Sequence, residues 1–135
     1  MVVCLHCRFE LYKPIATLDY SAIGLYNDAR FPGRLLQPFT KRHVEALEEL
    51  SVSEVTGFIT EVQKISRILK EVTKSPRINV AFLGNSVPHL HAHLIPRYPN
   101  REVFPGSSPW NDPRRLSVLP DKEIEGLVAR ILKRL

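Results

Sequence analysis

Three histidines stand at alternate positions in His89-Leu90-His91-Ala92-His93-Leu94-Ile95-Pro96-Arg97. On a β-strand, side chains at i, i+2 and i+4 share a face, with about 6.5–7 Å between successive members. The three imidazoles would then line one surface, suited to an extended substrate, while Leu90, Ala92 and Leu94 pack against the other. On a helix, His89 and His93 would share a face and His91 would point away, so the strand reading keeps them together. Pro96 would end such a strand. Imidazole has an ordinary pKa of about 6.5, is mostly neutral at cytosolic pH, and can serve as a nucleophile, an acid–base group or a metal ligand. A bare metal site of the H-x-H kind needs a carboxylate or a further histidine nearby, and none is evident around this stretch. A second motif is Cys4-Leu5-His6-Cys7. Two thiolates at this spacing can hold one Zn²⁺ and need two more ligands to close a tetrahedron; two ordinary free thiols are the alternative.

Other properties of the chain narrow the setting. At 135 residues it forms one domain, 1–135, large enough to bury a core. No apolar run approaches the ~20 residues of a membrane span, and the start lacks a basic-then-apolar signal pattern. A cytoplasmic location is the default expectation. The net charge of +5 favours anionic ligands such as nucleotides. The basic residues are scattered and not interleaved with aromatics, which argues against a nucleic-acid surface.

The elements that must position the histidines follow from pattern. Pro14 to Tyr26 reads as strand, turn and strand, with the turn at Asp19-Tyr20-Ser21 and with Ile23 and Leu25 in the core. Asn27 to Gly33 is a loop of turn formers, and Leu35 to Phe39 a third strand, with Pro38 marking its end or an edge. Thr40 predicts a cap for a short helix over Lys41–Leu50, which places His43 in its first turn. Ser51-Val52-Ser53-Glu54 is a capping box for a long helix. Its apolar face is Val55, Ile59, Val62, Ile65, Leu69 and Val72, and Ser75-Pro76 ends it. Ile78 to Leu83 is a strand that forms a hairpin with the histidine strand through Gly84-Asn85-Ser86. After Arg97 comes a proline-rich loop containing Trp110. A last helix, capped by Asp121, buries Ile124, Leu127, Val128 and Ile131. The whole is an α+β domain.

The residues from His89 to Ile95 resemble the H-φ-H-φ-H-φ-φ signature of the histidine triad superfamily. Pro32-Gly33-Arg34-Leu35-Leu36 with Lys41-Arg42-His43-Val44, and Gly84-Asn85-Ser86-Val87-Pro88, resemble its flanking stretches. The likeness covers roughly residues 4–100, leaving 101–135 as a C-terminal extension, and the wording Ala81 to Pro88 is similar to the bacterial diadenosine-polyphosphate-hydrolase-like branch. The resemblance implies a five-stranded antiparallel sheet with two main helices, here followed by a C-terminal helix. It also implies homodimers with sheets side by side. The implied activity is hydrolysis or transfer at a nucleotide α-phosphate, on anhydrides or phosphoramidates, with His91 as nucleophile forming a nucleotidyl-histidine.

Under that reading a backbone carbonyl accepting from His91 Nδ1–H would fix the reactive tautomer. His93, backbone amides and the Ser86 hydroxyl can donate to charge developing on phosphoryl oxygens or on the leaving group. Asn27, Asn85 and Arg34 join Ser86 and His93 as substrate-binding candidates. Asn27 and Asp28 resemble a ribose-contacting loop, although a plain turn explains them as well. Arg34 stands where the family commonly has a fourth histidine. Arginine cannot shuttle a proton but can bind phosphate bidentately. Asn85 stands where many members have glutamine. Cys4, Cys7, His43 and His89 match the structural zinc ligands of some triad proteins and of galactose-1-phosphate uridylyltransferases. Four protein ligands would leave no open position, so the chemistry needs no cofactor. His6 reads as an exposed bystander, and Trp110 as a lid over the nucleotide or a dimer contact. A nucleotide-binding or sensing protein with slow or no turnover is the second functional reading.

Overall fold

A computed structural model describes residues 1–135. Five strands form one antiparallel sheet: β1 (Pro14–Thr17), β2 (Ala22–Leu25), β3 (Leu35–Pro38), β4 (Arg77–Ala81) and β5 (His91–Arg97). Their order is β1-β2-β3-β5-β4, so the histidine strand is flanked by β3 and β4. Two helices, α1 (Val52–Thr73) and α2 (Asp121–Leu132), complete the α+β fold. No helix is long and apolar enough to cross a membrane.

Helix α1 begins as the capping box dictates. Ser51 Oγ accepts from the Glu54 amide at 3.2 Å, and the Glu54 carboxylate accepts from the Ser51 amide at 2.9 Å. The buried face is Phe58, Val62, Ile65, Ile68, Leu69 and Val72. The expected face was rotated in the first turns, because Phe58, not the exposed Ile59, continues the i, i+4, i+7 row of Val62 and Ile65. The helix ends at Thr73, ahead of Ser75-Pro76, with Lys74 in the left-handed region at φ 55°. Leu90, Ala92 and Leu94 join this face in one core with Ile23, Leu25 and Leu35. Ile23 and Leu25 are therefore core residues. The alternation along β5 turns His91 and His93 to the opposite side of the sheet.

Three expectations need correction. Lys41–Leu50 is not a helix; only Leu47–Glu49 forms a short 3-10 turn. The segment is tied instead to the entry of the histidine strand, where the Val44 carbonyl accepts from the Leu90 amide at 2.8 Å. The Glu49 carboxylate takes the Glu45 and Ala46 amides, which a helix would leave for its own ladder. Pro96 does not end β5, which continues to Arg97. Pairing to β3 stops at Leu94, so Pro96 lies where β5 is bonded on one side only, a place that tolerates a missing amide. Pro120 occupies the cap position of α2, and Asp121 is its first helical residue, where a carboxylate favours the helix dipole. In addition, β4 is shorter than expected, ending at Ala81, and a nine-residue connection over 82–90 replaces a tight hairpin.

Candidate active site

His91 is built into the site by its own strand. Its Nδ1 lies 2.6 Å from the His89 carbonyl. A carbonyl only accepts, so the ring proton sits on Nδ1 and the Nε2 lone pair is free. The residue is 6% exposed. Burial lowers its pKa, with the His89 carbonyl partly offsetting the effect, so the neutral form is favoured. Phe9, brought over by the N-terminal segment, packs against the His89 and His91 rings at 5.2 and 5.1 Å. Sequence reasoning missed this aromatic, because nothing local connects Phe9 with a strand eighty residues away. A cleft of about 270 Å³ opens beside His91, lined in part by Phe82, Gly84, Glu45 and Leu47. Asn85 and Ser86 follow Gly84 on the same loop and are solvent-exposed.

His93 is the neighbour of His91, with ring centroids 5.0 Å apart. Arg34 NH2 approaches His93 Nδ1 at 3.1 Å, and Arg34 NH1 donates to Asp28 Oδ2 at 3.1 Å. The fork expected to bind phosphate bidentately thus has NH1 facing Asp28 and NH2 facing His93. The residue is 6% exposed, its guanidinium is stacked over Tyr26 at 4.0 Å, and its buried Nε has no partner. Arg30 holds the other side of Asp28, with Nε on Oδ1 at 3.0 Å and NH2 on Oδ2 at 2.9 Å. Burial alone would raise the Asp28 carboxyl, but Arg30 and Arg34 outweigh it and hold it below the usual range. Burial, with the Arg34 and His91 charges, pushes His93 down to about 4. Asp28 is thus the anchor of an Arg30–Asp28–Arg34–His93 chain. A pair of acid and base two residues apart in a turn-rich loop was the only sequence signal for it.

Asn27 does not present a free amide. Its Nδ2 donates to the Leu119 carbonyl at 3.3 Å and its Oδ1 accepts from the Leu119 amide at 2.8 Å, clamping the C-terminal extension to the loop. That extension crosses the histidine face. Trp110 meets His93 edge-on at 5.2 Å and Arg34 at 5.6 Å, and remains 48% exposed. It borders His93 and Arg34 of its own chain.

The second constellation also closes. One donor atom from each of Cys4, Cys7, His43 and His89 lies within 4.8 Å of the others. Cys4 Sγ is 3.6 Å from His43 Nδ1, and Cys7 Sγ is 3.3 Å from His89 Nδ1. Zn–S and Zn–N bonds in a tetrahedron put ligand atoms roughly 3.3–3.8 Å apart, so these residues fit a metal. The second shell agrees: His89 Nε2–H donates to the Phe39 carbonyl at 2.7 Å, which leaves Nδ1 unprotonated and facing the thiols. His43 reaches the cluster from the extended segment, not from a helix. His6 stacks on His43 at 4.2 Å and is exposed.

Comparison with known proteins agrees with this geometry. The chain is 34% identical over 71 residues to the bis(5'-nucleosyl)-tetraphosphatase [asymmetrical] of Schizosaccharomyces pombe, covering 49% of this chain and 38% of that protein. It is 39% identical over 72 residues to the bis(5'-adenosyl)-triphosphatase of Saccharomyces cerevisiae, covering 50% and 35%. The matches thus span little more than a third of these curated relatives. Among solved structures, a histidine triad protein of Sinorhizobium meliloti superposes with a TM-score of 0.82 at 28% identity, over 91% of this chain and 89% of that one. The HIT domain family model matches residues 13–100, from the first strand through the three alternating histidines and Arg97, and the chain belongs to that family.

Proposed function

We propose that this chain is a nucleotide phosphohydrolase that acts at an α-phosphate through a nucleotidyl-His91 intermediate, with dinucleoside polyphosphates as its substrate class. The observation that carries the reading is the 2.6 Å contact from His91 Nδ1 to the His89 carbonyl, which leaves Nε2 free to attack phosphorus. The substrate class is supported by the activities for which the fungal relatives are named. His91 Nε2 bonds to Pα and the bridging P–O bond breaks. Water then adds to Pα, the P–N bond breaks with its electron pair returning to Nε2, and one proton goes to solvent. His93 Nε2–H, the Ser86 hydroxyl, Asn85 and the loop amides are the donors to phosphoryl oxygens.

Zinc at Cys4, Cys7, His43 and His89 belongs to the same reading. The soft and borderline donor set and its spacing support it. When bound, the ion supplies a structural tie. The residues themselves fix the start of β5, since the His89 carbonyl orients His91. A homodimer is supported by the unpaired outer edge of β4, on which a second sheet can continue. A sedimentation mass of one chain, 15.4 kDa, would remove it.

Hydrolysis of diadenosine tetraphosphate in ¹⁸O-water tests the proposal. We expect AMP among the products, with the label in the AMP phosphate. Label only in the polyphosphate product would place attack at another phosphorus. Binding without turnover would favour the sensing reading.

A further inference from the structure

We propose that Arg34 makes this site selective for phosphoric anhydrides over phosphoramidates, because it fills His93 Nδ1 and leaves His93 a fixed hydrogen-bond donor instead of a proton donor. The inference rests on the nucleotidyl-histidine reading above and concerns the leaving group within it.

A guanidinium has five N–H donors and no acceptor, and it stays charged in proteins. With Arg34 NH2 at 3.1 Å, His93 Nδ1 can only accept. The single proton of the ring is then on Nε2. To become an acid, His93 would need a second proton on Nδ1. That proton would break the Arg34 contact and set two cations against each other. Arg34 has little room to withdraw. Its NH1 is on Asp28, Asp28 is gripped from the far side by Arg30, and the guanidinium lies over the Tyr26 ring, with only the buried Nε left without a partner. Trp110 closes the remaining side against both Arg34 and His93. The His93 pKa of about 4 agrees with this geometry.

Leaving groups differ in what they need. When His91 Nε2 bonds to Pα of an anhydride, the electron pair of the broken P–O bond departs on a polyphosphate oxygen. That anion is a weak base, stable in water near neutral pH, and needs only hydrogen bonds. When the broken bond is P–N, the pair stays on an amine nitrogen, which must receive a proton as it leaves. General acid assistance of this kind contributes about 10²–10⁴-fold. Neither Arg34 nor His93 as held here can supply it. A histidine at position 34 would offer His93 a partner able to exchange protons. Arg34 is therefore a positioning residue that acts through His93.

The test is a set of AMP derivatives that differ only in leaving group: diadenosine tetraphosphate, adenosine 5'-phosphoramidate, and aryl esters of AMP made from phenols of graded acidity. For the unmodified protein we expect kcat/KM for the anhydride to exceed that for the phosphoramidate by ~10³-fold. Aryl ester rates should fall steeply as the phenol becomes a weaker acid. Arg34→His should raise the phosphoramidate-to-anhydride ratio by at least ~10-fold and flatten that dependence. Neither change follows from loosened structure alone. Phosphoramidate cleavage by the unmodified protein within about tenfold of the anhydride, with a flat aryl series, overturns the inference and leaves nucleotidyl transfer standing. Cleavage of no member of the set overturns both. The unmodified-protein series decides the matter even if Arg34→His does not fold.

Discussion

His91→Asn is expected to lower turnover of a dinucleoside polyphosphate by at least ~10³-fold, with circular dichroism and melting temperature close to those of the unmodified protein. Asparagine has no ring nitrogen that can form the covalent bond, whereas the amide is small enough for the place the imidazole leaves. His91 contributes little to the main apolar core, which lies on the other face of β5. The expected loss therefore concerns chemistry more than folding. Steady-state kinetics on matched, refolding-competent protein checks this. Turnover within about tenfold of the unmodified protein would remove His91 as nucleophile.

The second large effect is on stability. We expect the purified, untagged protein to carry one zinc per chain. Stripping it with a chelator, or substituting Cys4→Ser, should cost on the order of 3 kcal/mol or more and lower the melting temperature by ~10 °C. Cys4 is buried with Phe9 and Leu11 in the small cluster that seats the N-terminal segment on the histidine face. Loss of the metal would free that segment, and with it Phe9 from His89 and His91. The chemical step measured on molecules that remain folded should change far less than stability. Elemental analysis and calorimetry in parallel are the check. Zinc absent after zinc-supplemented growth would leave Cys4 and Cys7 as thiols and His89 as a residue that only orients the strand.

Much of this arrangement was legible in local pattern. The alternation at His89, His91 and His93 announces a shared face, and the structure turns Leu90, Ala92 and Leu94 into the core opposite. Ser51 and Glu54 mark the start of α1 because both halves of a capping box lie within three residues. What escaped the sequence was decided by partners distant along the chain. The helix expected over Lys41–Leu50 loses to a backbone bond between Val44 and Leu90 and to the Glu49 carboxylate. Pro96 reads as a strand end until β3 is known to stop at Leu94. Arg34 read as a free phosphate ligand because neither its stacking on Tyr26 nor its contact with His93, fifty-nine residues away, leaves a trace in spacing. Asn27 is likewise spoken for by Leu119, ninety-two residues on. Its expected role at the ribose would require that clamp to open.

The Arg30–Asp28–Arg34–His93 chain and the Cys4–Cys7–His43–His89 cluster flank His91 from opposite ends of the triad. One fixes the ring beside His91, and the other fixes the carbonyl that orients His91. Catalysis by this site would come mainly from prepared positions, with few protons moved by side chains.

The covalent intermediate is the point on which the account turns. Protein mixed with excess diadenosine tetraphosphate, quenched in alkali within milliseconds to seconds, should gain the mass of one adenylyl group. Alkali preserves a P–N bond that acid would hydrolyse. Peptide mapping should place the group on His91, and the adduct should decay at a rate no slower than turnover. An adduct on another residue, or full turnover with no adduct at any time point, would contradict the account.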